Sequence, residues 1–191
     1  MKAIITFQGF TESEGQRTGT EDLYFSVIRN FSSPIVTTYQ PRMWTCDVKA
    51  LVGQLSRQGI DRVAIVSYSH GQAAACAFAR EAYEHGITVN VWCACDPVYR
   101  PTWLPRSNWF QPLAFRAMLE HGKIKVPSNI KRVAWVRQVI SRPCGHDLIA
   151  ESDSTTIEKA HILNFTHTTI DNSPRWRELV RAELMKFVTS P

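Results

Sequence analysis

Residues 62–72 read Arg62-Val63-Ala64-Ile65-Val66-Ser67-Tyr68-Ser69-His70-Gly71-Gln72, and the rest of the chain is best understood outward from them. Arg62 to Ser67 is an apolar, β-branched run of the length of one buried strand. From Gly71 onward the pattern becomes helical to Glu84, dense in Ala73, Ala74, Ala75, Ala77, Ala79 and Ala82. Small side chains there let a helix lie close against a sheet. Between strand and helix stands one serine, Ser69, flanked two residues away on each side by the small Ser67 and Gly71.

On either side the same alternation recurs. Ala3-Ile4-Ile5-Thr6-Phe7 reads as a buried strand that ends in Gln8-Gly9-Phe10, followed by a polar loop and a helix over 21–30. Ile35-Val36-Thr37-Thr38-Tyr39 is a second strand. Residues 47–58 carry Val48, Leu51, Val52 and Leu55 on one helical stripe, stopped by Gly59. Val89 to Cys95 is a further strand, ending at Asp96-Pro97. Arg132 to Val136 is the fifth, and Ile162 to Thr166 the last, before a helix that opens on Pro174. The pattern predicts an α/β chain, a three-layer sandwich with a mostly parallel sheet of about six strands and helices on both faces. It also predicts a single domain over 1–191. The rhythm lapses over 98–127, a proline-punctuated stretch with Trp103, Trp109 and Phe110, which reads as a cap or lid.

Composition narrows the classes. The chain of 191 residues is large enough for one substantial core. Its formal charge is +5, from 22 Lys and Arg against 17 Asp and Glu. The basic residues are scattered, so no nucleic-acid partner is expected. Five cysteines, an odd number with no C-x-x-C, suit reduced thiols in a cytoplasm. Cys93 and Cys95 flank Ala94 in a buried strand and should point the same way as small hydrophobes. No second ligand pair stands at zinc-site spacing, so no metal is expected. Lys2 is followed by too short an apolar run for a signal peptide, and no stretch approaches a membrane span. A cytoplasmic protein without stable membrane insertion is the expectation. Neither G-x-G-x-x-G nor G-x-x-x-x-G-K-[ST] is present, which disfavours nucleotide binding.

Ser67-Tyr68-Ser69-His70-Gly71 resembles the nucleophile elbow of the α/β-hydrolases, G-x-S-x-G, in its strand–turn–helix setting. Ser67 replaces the first glycine, small for small. Phe7-Gln8-Gly9-Phe10 is similar to the His-Gly-Phe segment after an early strand of that family, with Gln8 in place of histidine. The resemblance implies an α/β-hydrolase fold with Ser69 as nucleophile and the backbone N–H groups of Phe10 and His70 as an oxyanion hole. It puts the base at His167, after the last strand, with His146 as the rival. The acid falls to Asp96, at the end of the strand after the elbow strand, or to Asp147 or Asp153 one strand later. The chain order Ser69, Asp96, His167 agrees with the family's. Trp103, Trp109 and Phe110 would line a pocket for an apolar acyl group. The function implied is hydrolysis of a small-molecule ester or thioester, as in carboxylesterases and lipases, with no cofactor. The alternative is a catalytically silent fold of this type acting as a binding or structural module.

Overall fold

The computed structural model describes residues 1–9, 15, 19–31, 35–41, 46–98 and 122–191. The strands are β1 (Lys2–Phe7), β2 (Val36–Gln40), β3 (Arg62–Tyr68), β4 (Thr88–Cys95), β5 (Lys123–Val126), β6 (Arg132–Arg137), β7 (Asp147–Ala150), β8 (Thr156–Ile157) and β9 (His161–Ile162). The helices are α1 (Gly19–Ser26), α2 (Val48–Arg57), α3 (Gly71–Glu84) and α4 (Pro174–Thr189). Among the described residues a seven-stranded sheet runs in the order β2-β1-β3-β4-β6-β8, with β9 also on β6, and each pairing is parallel.

The strand order explains the layers. The chain leaves β1 for β2 on one side, then crosses back over β1 to β3 and continues the other way to β4 and β6. Right-handed crossovers in opposite directions put their helices on opposite faces. On one face α2 and α3 cover Ala3, Ile5, Phe7, Val63, Ile65, Trp92 and Ala94. On the other, α1 and α4 cover Ile4, Ala64, Val66, Val91, Cys93 and Cys95. The reversal lies between β1 and β3, and parallel sheets of this kind bind ligands in the crevice outside the carboxyl ends at that point.

One irregularity sets the phase of β4. Val63 pairs with Val89 and Ala64 with Val91, so Asn90 is an extra residue, a bulge. Without it, every side chain beyond would change face. With it, Cys93 and Cys95 both point toward α1 and α4 and are fully buried. Burial pushes the Cys93 thiol up and the Cys76 thiol up to about 12, so neither is a thiolate at neutral pH.

Three expectations need correction. The last strand is not Ile162 to Thr166 but the two-residue β9. Leu163 N–H still donates to Arg137 O, after which the chain bends at Asn164 and Phe165 and leaves the sheet. The first helix spans Gly19–Ser26 and tightens into a 3₁₀ turn at Ile28–Phe31, rather than running over 21–30. The stretch 98–127 is not all cap: β5 falls within it and pairs with β7 as a separate two-stranded sheet. Such short strands lie below what hydrophobic period can separate from loop. Residues 99–121, with Trp103, Trp109 and Phe110, lie outside the described residues. Among those described, no helix is long and apolar enough to cross a membrane.

Local caps agree with the sequence. Asp47 accepts from Ala50 N–H at the start of α2, and Ser173 accepts from Trp176 N–H at the start of α4, with Pro174 in its first turn. Across the sheet, Glu183 of α4 is buried and paired with Arg132 of β6 and with Lys186 at 2.8 Å. Burial pushes the Glu183 carboxyl up, but hydrogen bonds from Arg132 and Lys186 outweigh it and hold the carboxyl below its ordinary range. A carboxyl whose pKa is depressed on folding stabilises above its unfolded value, ~4.3 for Glu. That contribution is lost as pH falls through the lower folded value. Glu183→Gln should therefore lower Tm at pH 7 by roughly 2–6 °C, and the gap to wild type should close as the pH is taken down through the acid range, followed by circular dichroism.

Candidate active site

β3 ends by turning sharply into α3. Ser69, the residue at the turn, has φ 52°, a left-handed conformation rare for a side chain other than glycine, asparagine or aspartate. Its backbone is tied on both sides, Ser69 N–H donating to Cys95 O at 2.9 Å and Ser69 O accepting from Val98 N–H at 3.2 Å. The turn is tight because α3 starts directly over β1. A Cβ on Gly71 would lie 2.6 Å from Phe7 O and 2.9 Å from Gln8 O, both backbone atoms. Ser67 is different. Its hydroxyl is buried and accepts from Trp92 Nε1 at 2.8 Å, so this position is filled by a useful side chain.

Gly9, after β1, packs against the same turn. A Cβ there would lie 2.5 Å from the Tyr68 ring and 3.3 Å from Ser69 Cβ. Phe10, the next residue, lies outside the described residues. His70 is buried and precedes the first residue of α3, where helix N–H groups point outward with the positive end of the macrodipole.

β4 ends by the same device. Asp96, directly after Cys95, has φ 41° and is fully buried. Among the described residues, Ser69 and Asp96 are the two non-glycine residues in the left-handed region. Strained backbone of this kind persists only where the surroundings enforce it, and it concentrates at functional sites.

His167 lies between them. Its Nε2 is 2.8 Å from Ser69 Oγ and its Nδ1 is 2.6 Å from Asp96 Oδ2. A carboxylate can only accept, so Nδ1 carries the imidazole proton and Nε2 presents its lone pair to the serine hydroxyl. His167 is held on its backbone as well. Tyr68 O–H donates to His167 O at 2.5 Å, His167 N–H donates to Ser141 Oγ at 2.7 Å, and the Tyr68 ring stacks on the imidazole with centroids 5.4 Å apart.

Asp96 is surrounded by donors. Oδ1 accepts from Gln138 N–H at 3.0 Å and Gly145 N–H at 2.8 Å, and Oδ2 accepts from Gln138 Nε2 at 3.1 Å besides His167. Gly145 has no room for a side chain, since a Cβ would lie 2.5 Å from Asp96 Oδ1.

The structure thus brings Ser69, His167 and Asp96 into one hydrogen-bonded row. It does not bring in the alternatives for the acid. Asp147 is exposed and paired with Arg137 at 2.5 Å, and Asp153 is exposed. His146 is buried, and its N–H donates to Pro97 O at 2.8 Å. Asp147 is outside the row, whereas Gly145, two residues before it, donates its N–H to Asp96 Oδ1. Gln138, Ser141, Gly145 and Tyr68 were not singled out. For Gln138 the available signal was its place just beyond β6, on the edge of the sheet where ligands gather.

No protein-family model and no curated protein matches the sequence. Solved structures do. Lipase B from Aspergillus fumigatus superimposes with a TM-score of 0.55 at 12% identity, over 96% of this chain and 52% of that one. The present chain therefore spans about half the length of that lipase. The lin2722 gene product of Listeria innocua gives 0.56 at 14%, over 99% and 94%. SrfTE, the thioesterase domain that cyclises the lipopeptide antibiotic surfactin, gives 0.55 at 11%, over 100% and 93%. At these identities the likeness is one of fold.

Gly71 offers a direct test of the turn. Gly71→Ala should lower stability by about 1–3 kcal/mol, the usual cost of overpacking against atoms that cannot move aside. A lower urea midpoint with an unchanged m-value is the expected reading; an unchanged midpoint would show that α3 can lift off β1.

Proposed function

We propose that this chain, which has the α/β-hydrolase fold, is a serine hydrolase that cleaves a carboxylic ester or thioester through an acyl-enzyme. The observation that carries the reading is the row Ser69 Oγ, His167 Nε2, His167 Nδ1, Asp96 Oδ2, with separations of 2.8 and 2.6 Å among buried groups.

In this reading Ser69 Oγ attacks the carbonyl carbon while His167 Nε2 takes its proton. The imidazolium so formed is stabilised by Asp96, which keeps its own charge and fixes the tautomer. The carbonyl oxygen becomes an oxyanion, met by the N–H of His70 at the head of α3 and by that of Phe10. Collapse expels the alcohol or thiol, which leaves with the proton from His167. Water then repeats the sequence on the acyl-enzyme and frees the acid and Ser69. Within the 98–127 stretch, the part ahead of β5 is assigned as a cap whose Trp103, Trp109 and Phe110 receive an apolar acyl chain. No metal or organic cofactor takes part in this scheme. The lipase and thioesterase among the structural neighbours act in the same substrate classes, which supports the choice of esters and thioesters.

A p-nitrophenyl ester series from acetate to decanoate tests the reading. Wild type should hydrolyse it, with longer acyl chains preferred over acetate, and a fluorophosphonate should label Ser69. Ser69→Ala, with its circular dichroism unchanged, should lose about 10⁴–10⁶-fold in kcat, and Asp96→Asn about 10⁴-fold. A wild type silent toward all the esters and unlabelled by the fluorophosphonate would sink the proposal in favour of a non-catalytic binding module.

A further inference from the structure

We propose that Gln138 is a positioning residue that sets the alignment of Asp96 and His167; the inference rests on the hydrolase reading above. Gln138 directly follows β6 and is fully buried. It meets both oxygens of Asp96, its backbone N–H on Oδ1 at 3.0 Å and its side-chain Nε2 on Oδ2 at 3.1 Å. Two donors from one residue, on two oxygens, fix the plane of the carboxylate. That plane decides how Oδ2 faces His167 Nδ1.

The other end of the same side chain shapes the loop that holds His167. Oε1 accepts from Ile140 N–H at 2.9 Å and Ser141 N–H at 2.8 Å. The two N–H groups of Nε2 are shared among three acceptors, Asp96 Oδ2, Ser141 O at 3.1 Å and Pro143 O at 2.9 Å, so one of them is bifurcated. The loop so folded presents Ser141 Oγ to His167 N–H at 2.7 Å and carries the chain on to Gly145, whose N–H completes the cradle on Asp96 Oδ1. One buried amide thus references the acid and the backbone of the base to a single point. A side chain used only to fill space would not have all its donors and acceptors on these groups. The Coulombic part of each donor bond to a buried carboxylate is also large, because nothing there screens it.

The consequence is a coupling that can be measured. Gln138→Met keeps the length of the side chain and removes its hydrogen bonds. It should lower kcat about 10- to 100-fold, the worth of a hydrogen bond to a charged group expressed as a rate, with KM nearly unchanged. Gln138→Glu keeps an acceptor for Ile140 and Ser141 and withdraws the donor from Asp96. It also withdraws the donor from Ser141 O and Pro143 O and sets a second carboxylate beside Asp96, so it should lose at least as much in kcat, and it gives a second variant for the cycle below. The discriminating measurement is a cycle with Asp96→Ala. If Gln138 acts through Asp96, Gln138→Met should cost little or nothing further in the Asp96→Ala background. Equal losses in both backgrounds, or variants as fast as wild type, would overturn the proposal while leaving Ser69 as nucleophile. A wild type inert to esters and to fluorophosphonate would instead remove the hydrolase reading on which it stands.

Discussion

The closeness with which α3 can start over β1 governs the carboxyl edge of this sheet. At Gly71 the helix backbone comes so near Phe7 O and Gln8 O that no side chain fits between them. That approach forces β3 to turn within one residue, and Ser69 takes the turn at φ 52°. A gentler exit from the strand would carry the serine out over the helix, away from His167. The contact also makes the other features cooperative. Ser69 N–H reaches Cys95 O and Ser69 O receives Val98 N–H, so the turn after β3 is bonded to the turn after β4. The two left-handed residues support each other, which is how strain of order 1–3 kcal/mol each can persist.

Phase along β4 is the second constraint. Asn90 is an extra residue against Val63 and Ala64, and from there on the side chains of β4 change face. Cys93 and Cys95 then belong to the core under α1 and α4, on the side where Tyr68 packs and where the His167 loop lies. Asp96 emerges from β4 in that phase. A strand of this length without the bulge would bring its end residue out with the opposite sense. The bulge at Asn90 lies six residues before Asp96, yet its register is felt there.

Much of this was legible from sequence because the relevant signals are local. The run Arg62 to Ser67, the alanine-dense helix and the small residue at Gly71 each state their own conformation, and the α/β layering follows from their alternation. Ser69 and Asp96 could be singled out because each follows a strand that periodicity detects, whereas His167 was reached through the resemblance, since the strand expected to run up to it ends at Ile162. The remainder was hidden for a different reason. Gln138, Ser141 and Gly145 lie in irregular chain, and what they do depends on contacts with Asp96 and His167, distant in sequence. No period or composition encodes such contacts. The two-residue β8 and β9 and the four-residue β5 and β7 were equally opaque, since their pairing is decided by the partner strand. Gly145 and Asp147 illustrate the limit: in sequence the acidic residue draws attention, while in the fold the glycine touches Asp96 and the aspartate faces solvent beside Arg137.

The placement of Asp96 has a physical logic of its own. Among the described residues the sheet continues beyond β6 only as β8 and β9, two residues each. Asp96 at the end of β4 has β6 as its outer neighbour, and the loop leaving β6 is long enough to wrap it. Asp96 N–H continues the ladder to Val136 O at 2.8 Å, so the carboxylate is anchored by its own backbone before any side chain acts. Gln138 and Gly145 then supply N–H groups from two points of one loop, and the same loop supplies Ser141 to His167. With Asp96 one strand inward of β6, the exit of that outer strand becomes available to hold carboxylate and imidazole together.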